Sequence, residues 1–185
     1  LYQDAGVKWV NFADVRWRNL EPRPPAGNRH FYNWNQLDRA VKHWQTHGFA
    51  VAMTVRTGNG WFSGPMKYTT DDAVPVIKLM IAQSDRLPKE KNMKDYEAFI
   101  TTMVERYDGD GKDDMPGLQH PVFHYQIGNE YGNPAFWTGS VEDYYFLLKT
   151  ASRAAKSACP DVRIIPNGLR TNDAFHNDPR AEHLD

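Results

Sequence analysis

The nine residues Val122 to Glu130, VFHYQIGNE, constrain the fold of this chain more than any other segment. Their β-branched and aromatic content, with side chains alternating between two faces, predicts a short buried strand rather than a helix. Gly128 and Asn129 end this strand, so Glu130 is expected where the strand enters a loop. Because α/β proteins keep their reactive groups at strand ends and in the loops that follow, Glu130 is a candidate catalytic carboxylate.

Strand-like and helix-like segments alternate along the rest of the chain. Apolar runs typical of strands occupy 7–13, 49–55 and 162–166, and apolar residues recur at helical spacing in 34–47, 93–107 and a long segment after Ser140. Residues 75–81 fit either a short helix or an irregular segment. This order implies parallel strands joined by crossover helices. The sequence therefore predicts an α/β fold with about four parallel strands.

Capping signals define the expected ends of these elements. Gly6 is expected to end a helical tail that opens the chain, and Gly48 to end the helix that Asn35 begins. Ser140 starts the sequence SVED, which is close to a capping box at the start of the longest helix. The loop from Asp14 to Asn33 is rich in Pro, Gly and Arg, so no regular element is expected there.

Composition limits the classes of partner. Lys and Arg number 22 against 23 Asp and Glu, and a net charge of −1 favours neither nucleic acid nor an anionic membrane surface. Six Trp and nine Tyr are many for 185 residues; they fit a carbohydrate ligand as well as an aromatic core. A single cysteine, Cys159, excludes a disulfide within the chain and a multi-cysteine metal site. No apolar run reaches the ~18 residues of a membrane span.

Four short motifs together resemble clan A glycoside hydrolases. They are IGNE at 127–130, Phe136-Trp137, Arg16-Trp17 and Leu20-Glu21-Pro22. The resemblance implies a (β/α)8 barrel whose fourth strand ends at the Asn-Glu pair. It also implies that Glu130 is the general acid/base of a retaining enzyme, and that Asn129 hydrogen-bonds a sugar hydroxyl beside the cleaved bond. The expected partner is a poly- or oligosaccharide substrate.

The same resemblance implies further substrate-binding residues at the strand ends. Arg16 and Trp17 follow the barrel's second strand, where such enzymes orient the acid/base or line the first sugar subsite; packing of the barrel floor is the alternative for Trp17. Arg56 follows the third strand, where many relatives carry a His, and Trp61 lies in the glycine-rich loop after it. Trp137 is expected to form a sugar platform, with a hydrophobic lid over the next helix as its alternative.

Acidic residues at two other places in the sequence are candidates for a function. Glu21, followed by Pro22, fits either a substrate contact or a structural ion pair. The acidic turn Asp108 to Asp114, DGDGKDD, offers oxygen ligands for calcium, but Asp113 stands where an EF-hand loop requires Gly, so a solvated turn is favoured. The sequence has neither an HExxH motif nor a nucleotide-binding glycine loop, and we expect no metal and no cofactor.

A full (β/α)8 barrel takes ~250 residues, so this chain is expected to be the N-terminal half of one barrel domain, spanning 1–185. The first strand and the C-terminal strands, with the nucleophilic Glu, would lie outside it. The remainder of the barrel is then required, and these residues alone are expected to be inactive. The sequence does not determine the cellular compartment, and a secreted or periplasmic location is favoured.

Two alternative hypotheses assign the chain to other functional classes. A carbohydrate-binding or scaffold protein on the same fold would keep Glu130 for ligand contact alone, since fold does not fix function. An unrelated barrel enzyme, such as a lyase or aldolase, would need a Schiff-base Lys or a metal cluster at the strand ends. The expected strand ends carry Asn, Glu, Arg and Trp instead, which favours the glycosidase.

Overall fold

A computed structural model describes residues 2–67 and 74–168. Four strands form one sheet in chain order, and every neighbouring pair is parallel. The strands are β1 (Trp9–Arg16), β2 (Ala50–Arg56), β3 (His124–Ile127) and β4 (Arg163–Pro166). The predicted α/β class with parallel strands and crossover helices is confirmed.

Helices lie in each of the connections between the strands. They are α1 (Trp17–Leu20), α2 (Asn35–Thr46), α3 (Pro75–Ala82), α4 (Met93–Tyr107) and α5 (Val141–Ala158), with a 3-10 turn at Glu90–Asn92. One continuous group of buried apolar side chains joins the strands to α2, α4 and α5. Its fully buried members include Met53, Phe99, Met103, Val104, Tyr107 and Ala155.

The glycine caps are present as expected. Gly48 has φ +78°, its N–H donates to the Gln45 carbonyl, and the next N–H donates to the Trp44 carbonyl, which is the hydrogen-bond pattern of a Schellman motif. Gly6 has the same φ and the corresponding bonds, but the residues before it, 2–5, form a turn rather than the expected helical tail. A left-handed glycine closes a turn as readily as a helix.

The capping predictions for the two longer helices had different outcomes. Ser140 and Asp143 form the complete capping box at the start of α5, as expected. Asn35 is not a cap, because α2 begins at Asn35 itself and its N-cap is Trp34. The side chain that receives the Asn35 N–H belongs to Asn33, at 3.2 Å.

The loop predicted from Asp14 to Asn33 is shorter than expected. β1 continues through Asp14 to Arg16, with an irregularity in pairing between Phe12 and Val15, and α1 follows directly. The prediction is wrong for the first part of this segment, because the Pro and Gly residues on which it rests all lie after Leu20. One helical turn buries Trp17 and Leu20 together, which outweighs the polar residues between them.

Apolar side chains remain exposed at both edges of the described sheet and on α3. Trp9 on β1 is 52% exposed, and Ile165 on β4 is also exposed. On α3 the exposed residues are Val76, Ile77, Leu79 and Met80. Across the described residues, no helix combines the length and the apolar content that crossing a membrane requires.

Candidate active site

The C-terminal ends of the strands meet at one edge of the sheet. Arg16 at the end of β1 lies opposite Arg56 at the end of β2. Just beyond β3, the Gly128 N–H donates to the Val55 carbonyl at 2.8 Å, which holds the start of the Glu130 loop beside β2. The structure thus brings Arg16, Arg56 and Glu130 to the same edge, as the parallel topology requires.

Glu130 has a backbone conformation that side chains rarely adopt. Its φ is +39°, in the left-handed region, and Gly128 two residues earlier has φ +74°. For a residue other than Gly, Asn or Asp this conformation costs about 1 kcal/mol or more and persists only where the surroundings enforce it. Glu130 is half-buried, so the strain is located at a carboxylate that solvent can reach.

The turn after Glu130 is closed by Asn133. The Asn133 backbone N–H donates to the Glu130 carbonyl at 2.8 Å, and its side-chain Nδ2 donates to Glu130 Oε2 at 3.0 Å. Sequence reasoning missed Asn133. The signal that could have found it is an Asn three residues after the carboxylate in a Gly- and Pro-containing loop, a position typical of side-chain turns.

Tyr144 on α5 ties the ends of β3 and β4 together. Its hydroxyl donates to the Ile127 carbonyl at 2.8 Å and accepts from the Asn167 N–H at 2.8 Å. A Cβ on Gly128 would lie 3.5 Å from both the Tyr144 ring and the Asn167 side chain. Asn129 is half-buried, and it follows a segment that Tyr144 and Asn167 hold in place.

Arg56 forms a buried ion pair that the sequence did not reveal. Its Nε donates to Asp85 Oδ2 at 2.8 Å, and the Gly58 N–H donates to Asp85 Oδ1 at 2.7 Å. Burial raises the pKa of Asp85, whereas Arg56 and the Gly58 N–H favour the charged form. Since Arg56 is only 6% exposed, most of its surface is already engaged by protein.

Asp85 also connects this pair to the loop that follows Glu130. Its N–H donates to the Phe136 carbonyl at 2.9 Å, and its carbonyl accepts from the Thr138 N–H at 3.0 Å. Arg56 lies over the Phe136 ring, 5.1 Å from its centre. The loops after β2 and β3 are therefore joined through one buried residue.

Trp17 packs the floor of the site and has no exposed surface. Its ring stacks on Phe62 with centres 3.8 Å apart, and its indole N–H donates to Glu21 Oε2 at 2.8 Å. The other oxygen, Glu21 Oε1, lies 2.7 Å from His30 Nδ1. The expectation that Trp17 lines a sugar subsite is corrected by its burial, and Glu21 is a buried structural hydrogen-bond partner of Trp17 and His30.

The remaining predicted residues divide between the surface and the core. Arg16 is half-buried, and its Nε donates to Asp14 Oδ1 at 2.6 Å. Trp61 is half-buried, with its indole N–H on the Glu21 carbonyl at 2.9 Å. Trp137 is buried and its indole N–H donates to the Ser140 carbonyl. Its edge-on contact with Tyr144 makes it the lid over α5, which corrects its assignment as a sugar platform.

The acidic turn lies apart from this edge, after α4. Single oxygens of Asp108, Asp110 and Asp114 lie within 4.8 Å of one another. All three carboxylates also accept backbone N–H groups of the turn, including those of Gly109 and Gly111 on Asp114. The turn is thus organised by its own backbone.

A cavity of about 600 Å³ lies in the loop after α1. It is lined by Leu20, Pro22, Arg23, Pro24, Phe31, Tyr32 and Asn33. A smaller cavity of about 190 Å³ lies beside Arg16 and Asn19. Both cavities adjoin the end of β1 rather than Glu130.

Comparison with solved structures shows a shared fold. A glucosidase from Croceicoccus marinus superposes with a TM-score of 0.60 at 16% identity, covering 91% of this chain and 32% of that protein. The described sheet and its crossover helices have the fold of part of a (β/α)8 barrel. A family 39 glycoside hydrolase from Bacteroides cellulosilyticus WH2 gives 0.53 at 16% identity, covering 89% and 27%. A monomeric beta-xylosidase from Caulobacter crescentus CB15 gives 0.56 at 15% identity, covering 88% and 30%.

These likenesses are at the level of fold. The chain spans about a third of the length of each solved protein that it matches. No protein-family model and no curated protein matches the sequence. The resemblance to glycoside hydrolases that the motifs suggested is therefore confirmed for the architecture, and the roles of individual residues rest on the geometry of the site.

Proposed function

We propose that this chain supplies the acid/base half of the active site of a retaining glycoside hydrolase that acts on a poly- or oligosaccharide. The observation that carries the proposal is Glu130: a half-buried carboxylate at the C-terminal end of a parallel strand, held with φ +39°. Barrel enzymes place catalytic groups at this edge, and backbone strain in proteins concentrates at functional sites.

The reaction requires two carboxyl groups. In the first step, protonated Glu130 gives its proton to the departing glycosidic oxygen while a second carboxylate attacks the anomeric carbon and forms a glycosyl ester. In the second step, Glu130, now ionised, takes a proton from water, whose oxygen displaces the ester. A retaining enzyme needs the two carboxyl groups about 5 to 5.5 Å apart.

Other residues at this edge are assigned to binding and support. Asn129, next to Glu130 and half-buried, would hydrogen-bond the sugar hydroxyl beside the cleaved bond. Arg16 and Trp61, also half-buried, would line the neighbouring subsite. Arg56, held by Asp85, would support the loops from below, because its burial leaves little surface for substrate.

The second carboxylate is proposed to come from the part of the barrel that lies outside these residues. Trp9 and Ile165 expose apolar surface at the two edges of the sheet, where further strands and helices would cover it. The solved proteins with this fold are at least about three times as long as the matched region. We refer to the longer protein with all eight strands as the complete protein, and expect residues 1–185 alone to be inactive.

Hydrolysis of aryl glycosides by the complete protein tests this proposal. Glu130→Gln should slow substrates with poor leaving groups by about 10²- to 10⁴-fold, the usual contribution of an acid catalyst, and slow activated substrates much less in the first step. Glu97→Gln, a carboxylate on α4 paired with Arg153, serves as the control and should leave both rates unchanged. Equal losses on both substrate types in Glu130→Gln would contradict the proposal.

A further inference from the structure

Asn133 is the residue through which the loop controls the orientation of Glu130. It is 6% exposed, and it contacts Glu130 twice: through its backbone N–H to the Glu130 carbonyl at 2.8 Å and through Nδ2 to Oε2 at 3.0 Å. The first bond closes the turn that contains the left-handed Glu130, and the second attaches the carboxylate to that turn. Backbone and side chain of Glu130 are therefore fixed by the same residue.

The surrounding hydrogen bonds determine which way the Asn133 amide faces. Its Oδ1 accepts the Ala135 N–H at 3.1 Å, so its Nδ2 must point toward Glu130. Its carbonyl accepts the N–H groups of Phe136 and Trp137 at 2.8 and 2.9 Å. The backbone of Asn133 is thus held in place by its carbonyl. If the side-chain amide were rotated, its oxygen would face the Glu130 carboxylate and its NH₂ would face the Ala135 N–H, and both contacts would be repulsive.

We propose that Asn133 is a positioning residue for Glu130: it fixes one carboxylate oxygen in the turn and so holds the carboxyl group in one orientation for proton transfer to the substrate. This inference rests on the proposed function for its catalytic meaning. A catalytic group that is held in place transfers its proton faster than one that rotates freely, because the reacting atoms stay within hydrogen-bond distance.

Asn133→Asp tests this role more sharply than a truncation. The Asp side chain keeps the oxygen that accepts the Ala135 N–H, but it replaces the donor with a second carboxylate oxygen about 3 Å from Glu130, and the repulsion between them turns the Glu130 carboxylate out of its place in the turn. Asn133→Ala removes the donor without adding charge. The matched control is Asn92→Ala, because the buried Asn92 also donates through Nδ2 to a carboxylate three residues away, Asp95, at 3.0 Å.

The measurement is the ¹³C NMR spectrum of glutamate-labelled complete protein at fixed pH, with the Glu130 carboxyl signal assigned by its loss in Glu130→Gln. The Glu130 carboxyl signal should shift in Asn133→Ala and in Asn133→Asp, because Oε2 loses the Nδ2 donor, and should not move in Asn92→Ala. On substrates with poor leaving groups, kcat should fall by about tenfold or more in both Asn133 variants while KM is unchanged, because only proton transfer is impaired.

Two outcomes separate this inference from the proposed function. A shifted Glu130 carboxyl signal in a protein that hydrolyses no glycoside would sustain the control of Glu130 by Asn133 and reject the glycosidase. A glycosidase whose activity depends on Glu130, but whose Glu130 signal and kcat are unchanged in both Asn133 variants, would overturn the positioning role. If the two Asn133 variants only lowered the Tm, the role of Asn133 would be structural.

Discussion

The ends of β1 and β2 differ from the end of β3 although all three lie at one edge. After β1 and β2, two polar pairs are buried: Trp17 with Glu21, and Arg56 with Asp85. After β3, Glu130 is half-buried, its backbone is strained and Asn133 donates to its carboxylate. The first two ends use buried polar pairs to hold loops in place, whereas at the third a strained turn positions one half-buried carboxylate.

This difference shows that position at the sheet edge does not by itself identify a catalytic group. Glu21 and Glu130 are both glutamates that follow strands, but Glu21 is 1% exposed and both of its oxygens are engaged. Burial and pairing assign Glu21 to stability. Half-burial with a strained backbone makes Glu130 the candidate for chemistry, and the two hypotheses can be tested separately.

The largest expected effect on stability is at Asp85. In Asp85→Ala, the buried Arg56 guanidinium loses its main partner, which should lower the free energy of unfolding by about 3 to 5 kcal/mol. Denaturation of the complete protein in urea measures this. The double variant Arg56→Met with Asp85→Leu should recover most of the loss, because it removes both charges.

A surface pair provides the contrast for Asp85. Glu97→Ala breaks the exposed contact with Arg153 and should cost less than about 1 kcal/mol. If Asp85→Ala were no more destabilising than Glu97→Ala, the buried pair would not be the anchor of the β2 end.

The next largest effect is expected at the floor of the site. Trp17→Phe removes the indole N–H from Glu21 Oε2 and leaves a buried carboxylate oxygen without this donor, a loss of about 1 to 3 kcal/mol plus a packing term. Trp61→Phe is the matched change, since the Trp61 N–H also bonds Glu21, but through its backbone carbonyl and from a half-buried position. Urea denaturation should show the Trp61 variant to be the less affected; the reverse order would contradict the structural role of Trp17.

The smallest effect tests the strain at Glu130 itself. Glu130→Gly and Glu130→Ala both remove the carboxylate, so their difference isolates the backbone. At φ +39°, Gly should be more stable than Ala by about 1 kcal/mol. At Glu97 in the middle of α4, the order should reverse by about the same amount. Thermal denaturation of the four variants measures both differences. If Glu130→Ala were more stable than Glu130→Gly, the backbone at position 130 would not be strained.

The sequence was sufficient for the architecture because its signals are local and periodic. Met93–Tyr107 is a helix with the predicted bounds, and the Ser140 capping box is present. Position alone also placed Glu130 at the correct edge. The β1 end was misjudged, because the burial of Trp17 depends on Phe62 and Phe99, which are distant in the chain.

The partners at the site could not be predicted in the same way. Asp85 lies 29 residues from Arg56 and carries no motif, so only the folded chain shows that they pair. The strain at Glu130 is likewise invisible in the sequence, because the Gly and Asn residues around it signal a turn without showing that the Glu itself has a positive φ. Pairing across loops and backbone conformation are properties of the fold rather than of local composition.

Chemical rescue of Glu130→Ala in the complete protein tests the central claim most directly. If Glu130 is the acid/base of a retaining glycosidase, activated aryl glycosides should accumulate the covalent intermediate in this variant. Azide, a nucleophile that needs no base, should restore turnover and give a glycosyl azide with the anomeric configuration of the substrate. A product of inverted configuration, or no rescue at any azide concentration in a variant that binds substrate normally, would contradict the account.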